Sequence, residues 1–300
     1  MRLITTPRLE IATEEYGEAR DALTCVLVHG FPDYAGAWQA VGARLAAQGL
    51  RCLAPNLSGV GATRFRDPRA RRSGQQATLG RDLLDLLDAE GIDRAVLVGH
   101  DWGSSAVLAA AALAPDRVAG LVVLGGYLLI DPAAGPLGGV LPAPATAQAM
   151  WYQWFLCLEV GRAALTTDPG ALATHLWRTW SLEGSLSDEA LQQMLPALLN
   201  PDYAEVVTHF YRQRRGLAPG DADYANDERA LAALPVIEPP AMLLSGGADP
   251  IIPPAFVTAS QAKFGHLLDT VLLPGVGHFP HREDPAAVAA AVTRIANGER

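Results

Sequence analysis

An α/β domain built on a parallel sheet and interrupted by a helical block is the fold class that this 300-residue sequence predicts. Three observations predict it. In the first half, short and nearly continuous apolar runs alternate with longer helical patterns. From about Asp131 to Leu231 no strand-like run occurs. From Pro239 the alternation resumes. Strands apolar throughout are the mark of a sheet buried on both faces, which parallel sheets require because crossover helices cover them.

The elements follow in order. Leu9 to Thr13 reads as an edge strand. Thr24 to Val28 is a buried strand ending at His29-Gly30, and Ala37 to Ala47 is a helix with Gly49 just past its end. Arg51 to Pro55 is the next strand. Leu79 to Glu90 carries leucines at helical spacing and stops at Gly91. Ala95 to Gly99 is a strand, Ser104 to Ala114 an alanine-rich helix closed by Pro115, and Gly120 to Leu124 a strand. A Pro/Gly-rich approach, Asp131 to Pro144, leads into helical stretches at Thr146 to Val160, Ala171 to Trp180, Asp188 to Leu199 and Tyr203 to Arg215. Then come a strand at Ala241 to Leu244, a helix at Pro253 to Phe264, a strand at Thr270 to Leu273 and a helix at Pro285 to Ala296. The expected organisation is a core formed by residues 1–130 and 233–300, with residues 131–232 inserted as a lid.

Composition excludes several function classes. Half the residues are apolar and 18% are charged, so the chain has the means to bury a core. A formal charge of −9 lacks the basic field that a nucleic-acid partner needs. No apolar run reaches the roughly 18 residues of a membrane span, and the first ten residues lack the apolar stretch of a signal peptide. Three cysteines, Cys25, Cys52 and Cys157, cannot all pair and show no metal spacing. The expectation is a cytoplasmic globular protein without metal or cofactor, as monomer or homodimer.

Four motifs carry chemistry. Gly99-His100-Asp101-Trp102-Gly103 lies between a strand and a helix. It has the form of a nucleophile elbow, with aspartate where esterases carry serine. The turn thrusts one side chain off the strand end, and the helix N-terminus favours its negative charge. The same residues taken alone would also suit a strand-to-helix turn with Asp101 as N-cap. His29-Gly30-Phe31-Pro32-Asp33 follows the Thr24 strand, where the backbone N–H groups of Phe31 and Trp102 can together form an oxyanion hole. Gly277-His278-Phe279 offers a late histidine as general base. Gly246-Gly247-Ala248-Asp249 offers an acid to orient it, with Asp131 as second candidate. The order Asp101, Asp249, His278 is nucleophile, acid, base. His278 and His281 have a spacing that suits a metal pair, but no cluster of further ligands accompanies them.

Together these motifs resemble the α/β-hydrolase superfamily and, within it, the epoxide hydrolases, over about residues 9 to 297. The resemblance implies an eight-stranded, mostly parallel sheet with helices on both faces, a helical cap over the site, and a cis peptide before Pro32. It also implies two ring-opening tyrosines on the cap. Trp151-Tyr152-Gln153-Trp154-Phe155 matches the segment of the first, at Tyr152, and Phe210-Tyr211-Arg212 that of the second, at Tyr211. The sequence departs from the family at Asn56 and Ser58, where Asp and Arg usually stand. The five arginines between Arg64 and Arg72 read as a solvated loop.

The nucleophile selects the reaction. A carboxylate displaces a leaving group at saturated carbon and becomes an ester; water activated by His278 then attacks that ester. An epoxide leaves as a strongly basic alkoxide and needs a proton donor, for which tyrosine is suited. A halide needs none. Two cap tyrosines with Phe31 favour an epoxide over a haloalkane; an esterase on the same scaffold is the further alternative. Trp151, Trp154, Trp177 and Trp180 are the expected pocket residues, suited to a small apolar, aromatic epoxide.

Overall fold

The computed structural model describes residues 1–18, 23–134 and 144–299. One sheet organises it, in the order β1 (Arg2–Thr5), β2 (Leu9–Tyr16), β4 (Arg51–Pro55), β3 (Thr24–Val28), β6 (Ala95–His100), β7 (Val118–Leu124), β8 (Ala241–Gly246), β9 (Leu267–Leu273). The six strands from β4 to β9 in that order run parallel, while β1 and β2 are antiparallel to their neighbours. A two-residue strand, β5 (Arg64–Phe65), pairs with β2.

Alternation at period two sends successive side chains to opposite faces. Cys25, Leu27, Val96 and Val98 pack with Trp38, Val41, Leu45, Val288, Val292 and Ile295, from helices α1 (Gln39–Ala46) and α13 (Pro285–Ala296) and the turn before α1. Val26, Val28, Leu97 and Val123 face the other way, onto α2 (Gln76–Ala89) and α3 (Trp102–Leu113). Small residues in α3, Ala106, Ala109, Ala110 and Ala111, let it lie against α2 and the sheet. The second cluster continues into the helices that lie between β7 and β8 in sequence.

These are α4 (Pro144–Ala149), α5 (Trp151–Cys157), α6 (Glu159–Thr167), α7 (Pro169–Trp180), α8 (Asp188–Met194), α9 (Tyr203–Arg214) and α10 (Ala225–Ala232). Most of the Pro/Gly-rich approach, residues 135–143, lies outside the described residues. After β8 come α11 (Pro254–Ser260) and the single turn α12 (Pro280–Glu283). Among the described residues no helix is long and apolar enough to cross a membrane.

Two expectations are corrected, and one helix that the sequence did not announce is added. β2 is not an edge strand, because β1 pairs along its outer side; Arg2 to Thr5 is too short and polar for its alternation to register. The expected helix from Thr146 to Val160 is three helices. Leu158 is extended, so the chain turns there, and α5 and α6 each pack against α9. α10 shows no sequence signal beyond charge, since only Leu231 on it is buried.

The order of strands reverses at β3: the chain runs outward to β4, then back across β3 to β6. At such a switch point the loops after two neighbouring strands diverge and open a crevice at their carboxyl ends. The loops after β3 and β6 are those of His29–Asp33 and of Asp101.

Candidate active site

The elbow after β6 is built by two glycines. A Cβ on Gly103 would lie 2.1 Å from the Val28 carbonyl oxygen, and one on Gly99 would lie 2.3 Å from the Gly103 carbonyl oxygen. Neither position has room for one, and this tight contact between strand and helix forces the turn. Asp101 at its apex takes φ +51°, a strained conformation for a residue with a side chain, costing on the order of 1–3 kcal/mol. Its carboxylate stands at the N-terminus of α3. Oδ1 accepts the Phe31 N–H at 2.8 Å, and the neighbouring Trp102 N–H also favours the charged carboxylate. The peptide between Phe31 and Pro32 is cis.

Two further strand ends complete the triad. Asp249, after β8, fixes its Oδ1 by accepting the N–H groups of Ile251 (2.7 Å) and Ile252 (3.0 Å). Its Oδ2 accepts Nδ1–H of His278, after β9, at 2.9 Å. That bond sets the tautomer, leaving Nε2 of His278 with its lone pair. Nε2 lies 4.0 Å from Asp101 Oδ2, too far for a hydrogen bond, and makes none elsewhere among the described residues. The Trp180 carbonyl accepts the His278 N–H at 2.8 Å and so ties the base to the end of α7.

The electrostatics follow from burial among charges. Burial raises the Asp101 pKa, while His278, the two backbone N–H groups and Arg214 pull against it. Burial would lower His278, but the charge and hydrogen bond of Asp249, with Asp101 beyond, leave it above the ordinary value. His100, directly before the nucleophile, is pushed well down by burial and by His281 and His278. Its Nε2 bonds the His278 carbonyl at 2.7 Å.

Behind the triad lies a second buried group. Asp33 accepts His281 Nε2 (3.0 Å) and both Nε (3.0 Å) and Nη2 (2.6 Å) of Arg282. The Nε2 of His281 is thus committed to Asp33. Burial opposes the Asp33 charge, but the Arg282 charge and these hydrogen bonds hold its pKa well below the usual range. Its stabilisation is therefore present above the ordinary carboxylate pKa and is lost as pH falls toward the depressed folded value. Asp33→Ala should destabilise the fold by about 3–5 kcal/mol, because it strands buried charge on Arg282. Urea denaturation near neutral pH checks this, and a loss below about 1 kcal/mol would contradict it.

The cap closes the site with aromatic rings. Tyr152 on α5 is 2% exposed and Tyr211 on α9 is 3% exposed. Their rings meet edge to face at 5.7 Å, and both pack on Phe31, at 6.3 and 5.7 Å. The Asp101 charge, added to burial, pushes both phenols above their ordinary pKa. Trp180 packs its edge against Tyr152 (4.8 Å) and His278 (5.0 Å). Trp177 donates its indole N–H to the Pro32 carbonyl at 2.8 Å, and so docks α7 onto the Phe31 loop. It also borders a cavity of about 520 Å³ with Ser181, Leu182, Leu186 and Leu191.

Asp101, Phe31, Trp102, Asp249, His278, Tyr152, Tyr211, Trp177 and Trp180 are thus brought together. Trp151 and Trp154 are not. Trp151 is 39% exposed and packs on Phe155 and His175, along a separate groove; Trp154 lies under the Arg215 guanidinium at 4.6 Å. One α-helix cannot turn three neighbouring aromatics toward one point, and Tyr152 takes the inward place. Among the described residues the Asp131 carboxylate accepts the Ala133 N–H, while it is Asp249 that holds His278. Asn56 accepts the Ala35 N–H at 2.8 Å, a role that needs an acceptor but no charge. Of the arginine loop, Arg72 pairs with Asp202 and the exposed Arg69 with Asp67. Sequence reading gives no role to Gln153 or Arg215, which lie by the tyrosines; Gln213-Arg214-Arg215 at a helix end looks like any charged C-terminal turn.

Comparison with known proteins fits this geometry. The family model of the alpha/beta hydrolase fold matches residues 25–285. Epoxide hydrolase A of Mycobacterium tuberculosis is 28% identical over an alignment covering 99% of this chain and 97% of that protein. A crystal structure from Klebsiella pneumoniae, of a protein provisionally named an epoxide hydrolase, matches with TM-score 0.94 and 34% identity over 99% of this chain and 97% of that one. Epoxide Hydrolase A of Mycobacterium thermoresistibile, 24% identical, shares the fold with TM-score 0.77 over 99% and 98% of the two chains. With its elbow, its ordered triad and these full-length relatives, the chain belongs to the α/β-hydrolase fold family, in the epoxide hydrolase branch.

Proposed function

We propose that this protein is an epoxide hydrolase, opening an epoxide to a vicinal diol through an ester on Asp101. The observation that carries the reading is the placing of a carboxylate nucleophile within one site with a histidine base and two buried phenols. Asp101 attacks one epoxide carbon. The carbon–oxygen bond breaks, its electron pair stays on the oxygen, and a proton from Tyr152 or Tyr211 caps it. His278 then takes a proton from water, whose oxygen bonds to the ester carbonyl carbon of Asp101. The N–H groups of Phe31 and Trp102, already at the carboxylate, hold the oxyanion. Collapse expels the diol oxygen, which takes the proton from His278. The acid proton left on Asp101 restores the tyrosine, and the balance is epoxide plus water to diol.

The named relatives support an epoxide as substrate. A closed aromatic surround of Phe31, Trp177, Trp180 and the tyrosines suits a small apolar epoxide, aromatic ones included.

Labelled water tests the mechanism. With enzyme in excess over styrene oxide in ¹⁸O-water, the first-turnover diol should be mostly unlabelled, because its new oxygen comes from Asp101. The label should appear in the peptide containing Asp101. Fully labelled diol with no label in that peptide would mean direct attack by water.

A further inference from the structure

A phenol that gives its proton to an epoxide oxygen must not already be spending that proton on the protein. The hydroxyl of Tyr152 touches the side-chain amide of Gln153, at 2.9 Å. An amide can donate or accept at such a contact, and Arg215 decides between the two. Its Nη2 bonds the other end of the same amide. A guanidinium has donors only, so the carbonyl oxygen of Gln153 must face it. The NH₂ end is thereby turned to Tyr152, whose oxygen accepts and whose proton is left free.

Tyr211 reaches the same condition by another route. Its hydroxyl lies 3.3 Å from the indole Nε1 of Trp102, which can only donate. Both phenols are thus acceptors toward the protein, and each keeps its proton for a third party.

Arg215 has little other occupation. It is 7% exposed, stacks on Trp154, and its Nε has no partner among the described residues. Among the described residues no carboxylate forms a salt bridge with it, in contrast to Arg212, which pairs with Glu159. A buried and uncompensated charge is costly, and such cost is borne where a site uses the charge.

We propose that Arg215, acting through Gln153, and the indole of Trp102 are positioning residues that hold Tyr152 and Tyr211 as free proton donors to the epoxide oxygen. This rests on the epoxide reading above. As the epoxide carbon–oxygen bond breaks and a tyrosine proton moves to the oxygen, the hydrogen bond each phenol accepts strengthens on the growing phenolate. Burial and the Asp101 charge both oppose that phenolate.

Gln153→Glu is the test, because it keeps the shape and the contact to Arg215. A carboxylate accepts at both ends and so draws the Tyr152 proton inward. Single-turnover formation of the Asp101 ester from styrene oxide should slow to the rate of Tyr152→Phe, about tenfold or more but short of the roughly 10²–10³ of a sole donor. Combining the two changes should cost no more than either alone, and hydrolysis of the ester should be unaffected. Arg215→Met should also slow ester formation, with Arg215→Lys restoring it, since lysine too is a pure donor. Trp102→Phe should slow it without adding to Tyr211→Phe. Ester formation at the wild-type rate in Gln153→Glu, or losses that add to that of Tyr152→Phe, would overturn the proposal. If the tyrosine variants slow ester formation and Gln153→Glu does not, only the positioning role fails. If Tyr152→Phe combined with Tyr211→Phe does not slow it, the proton-donor reading fails and the positioning role with it.

Discussion

His278→Gln should stop turnover and leave the protein carrying its substrate. Ester formation needs Asp101 and the cap donors, none of which this change removes. Hydrolysis needs a base at Nε2, the nitrogen that makes no hydrogen bond among the described residues. Loss of a positioned general base costs roughly 10²–10⁴ in the step it serves. The ester should therefore accumulate, and intact-protein mass spectrometry should read the mass of one epoxide added to the chain. An unmodified protein with no turnover would place His278 in ester formation instead. The wild-type enzyme should show the same division in its pH dependence. The base is the neutral imidazole, so hydrolysis should fall as pH drops through the His278 pKa, which in the free enzyme is raised above the ordinary value. Esterification removes the Asp101 charge, one of the causes of that shift. The base of ester hydrolysis should therefore titrate below His278 of the free enzyme, as single-turnover rates and NMR titration can compare.

Removing both phenol hydroxyls should nearly abolish ester formation. An alkoxide leaving group is far more basic than a phenolate, so a donor at the oxygen acts mainly in the transition state, where charge builds. Removal of one such donor typically costs on the order of 10²–10³ in rate. Tyr152→Phe or Tyr211→Phe alone should lose less than that, because the rings lie 5.7 Å apart and the other hydroxyl remains. The double variant has no donor left. Pre-steady-state measurement on the two singles and the double checks this, with the ester, once formed, hydrolysing at the usual rate. Wild-type ester formation by the double variant would remove the epoxide's proton source. A haloalkane, whose leaving group needs no proton, would then be the better substrate.

The sequence by itself determined the sheet, the order of nucleophile, acid and base, and the loops that hold them. Each of those signals is local. Gly99 to Gly103 specifies a turn because its steric demands are met within five residues and one neighbouring strand. Strands buried on both faces show as unbroken apolar runs, such as Thr24 to Val28. Once strand order places four loop ends at one edge, Asp101, Asp249, His278 and Phe31 converge without any long-range pairing being read. Where burial is partial the signal fails, as at β1 and β5. The cap was decided by tertiary structure. Its aromatics are spaced to suit a helix face, but which face meets the site depends on how α5, α7 and α9 dock on one another and on the Phe31 loop. That docking turned Tyr152, Trp177 and Trp180 inward and left Trp151 at the surface. It also brought Arg215 from the end of α9 to Gln153 on α5, across 62 residues of chain. Helical periodicity says which residues share a face; only packing says what that face meets, because apolar side chains bury equally well against many partners.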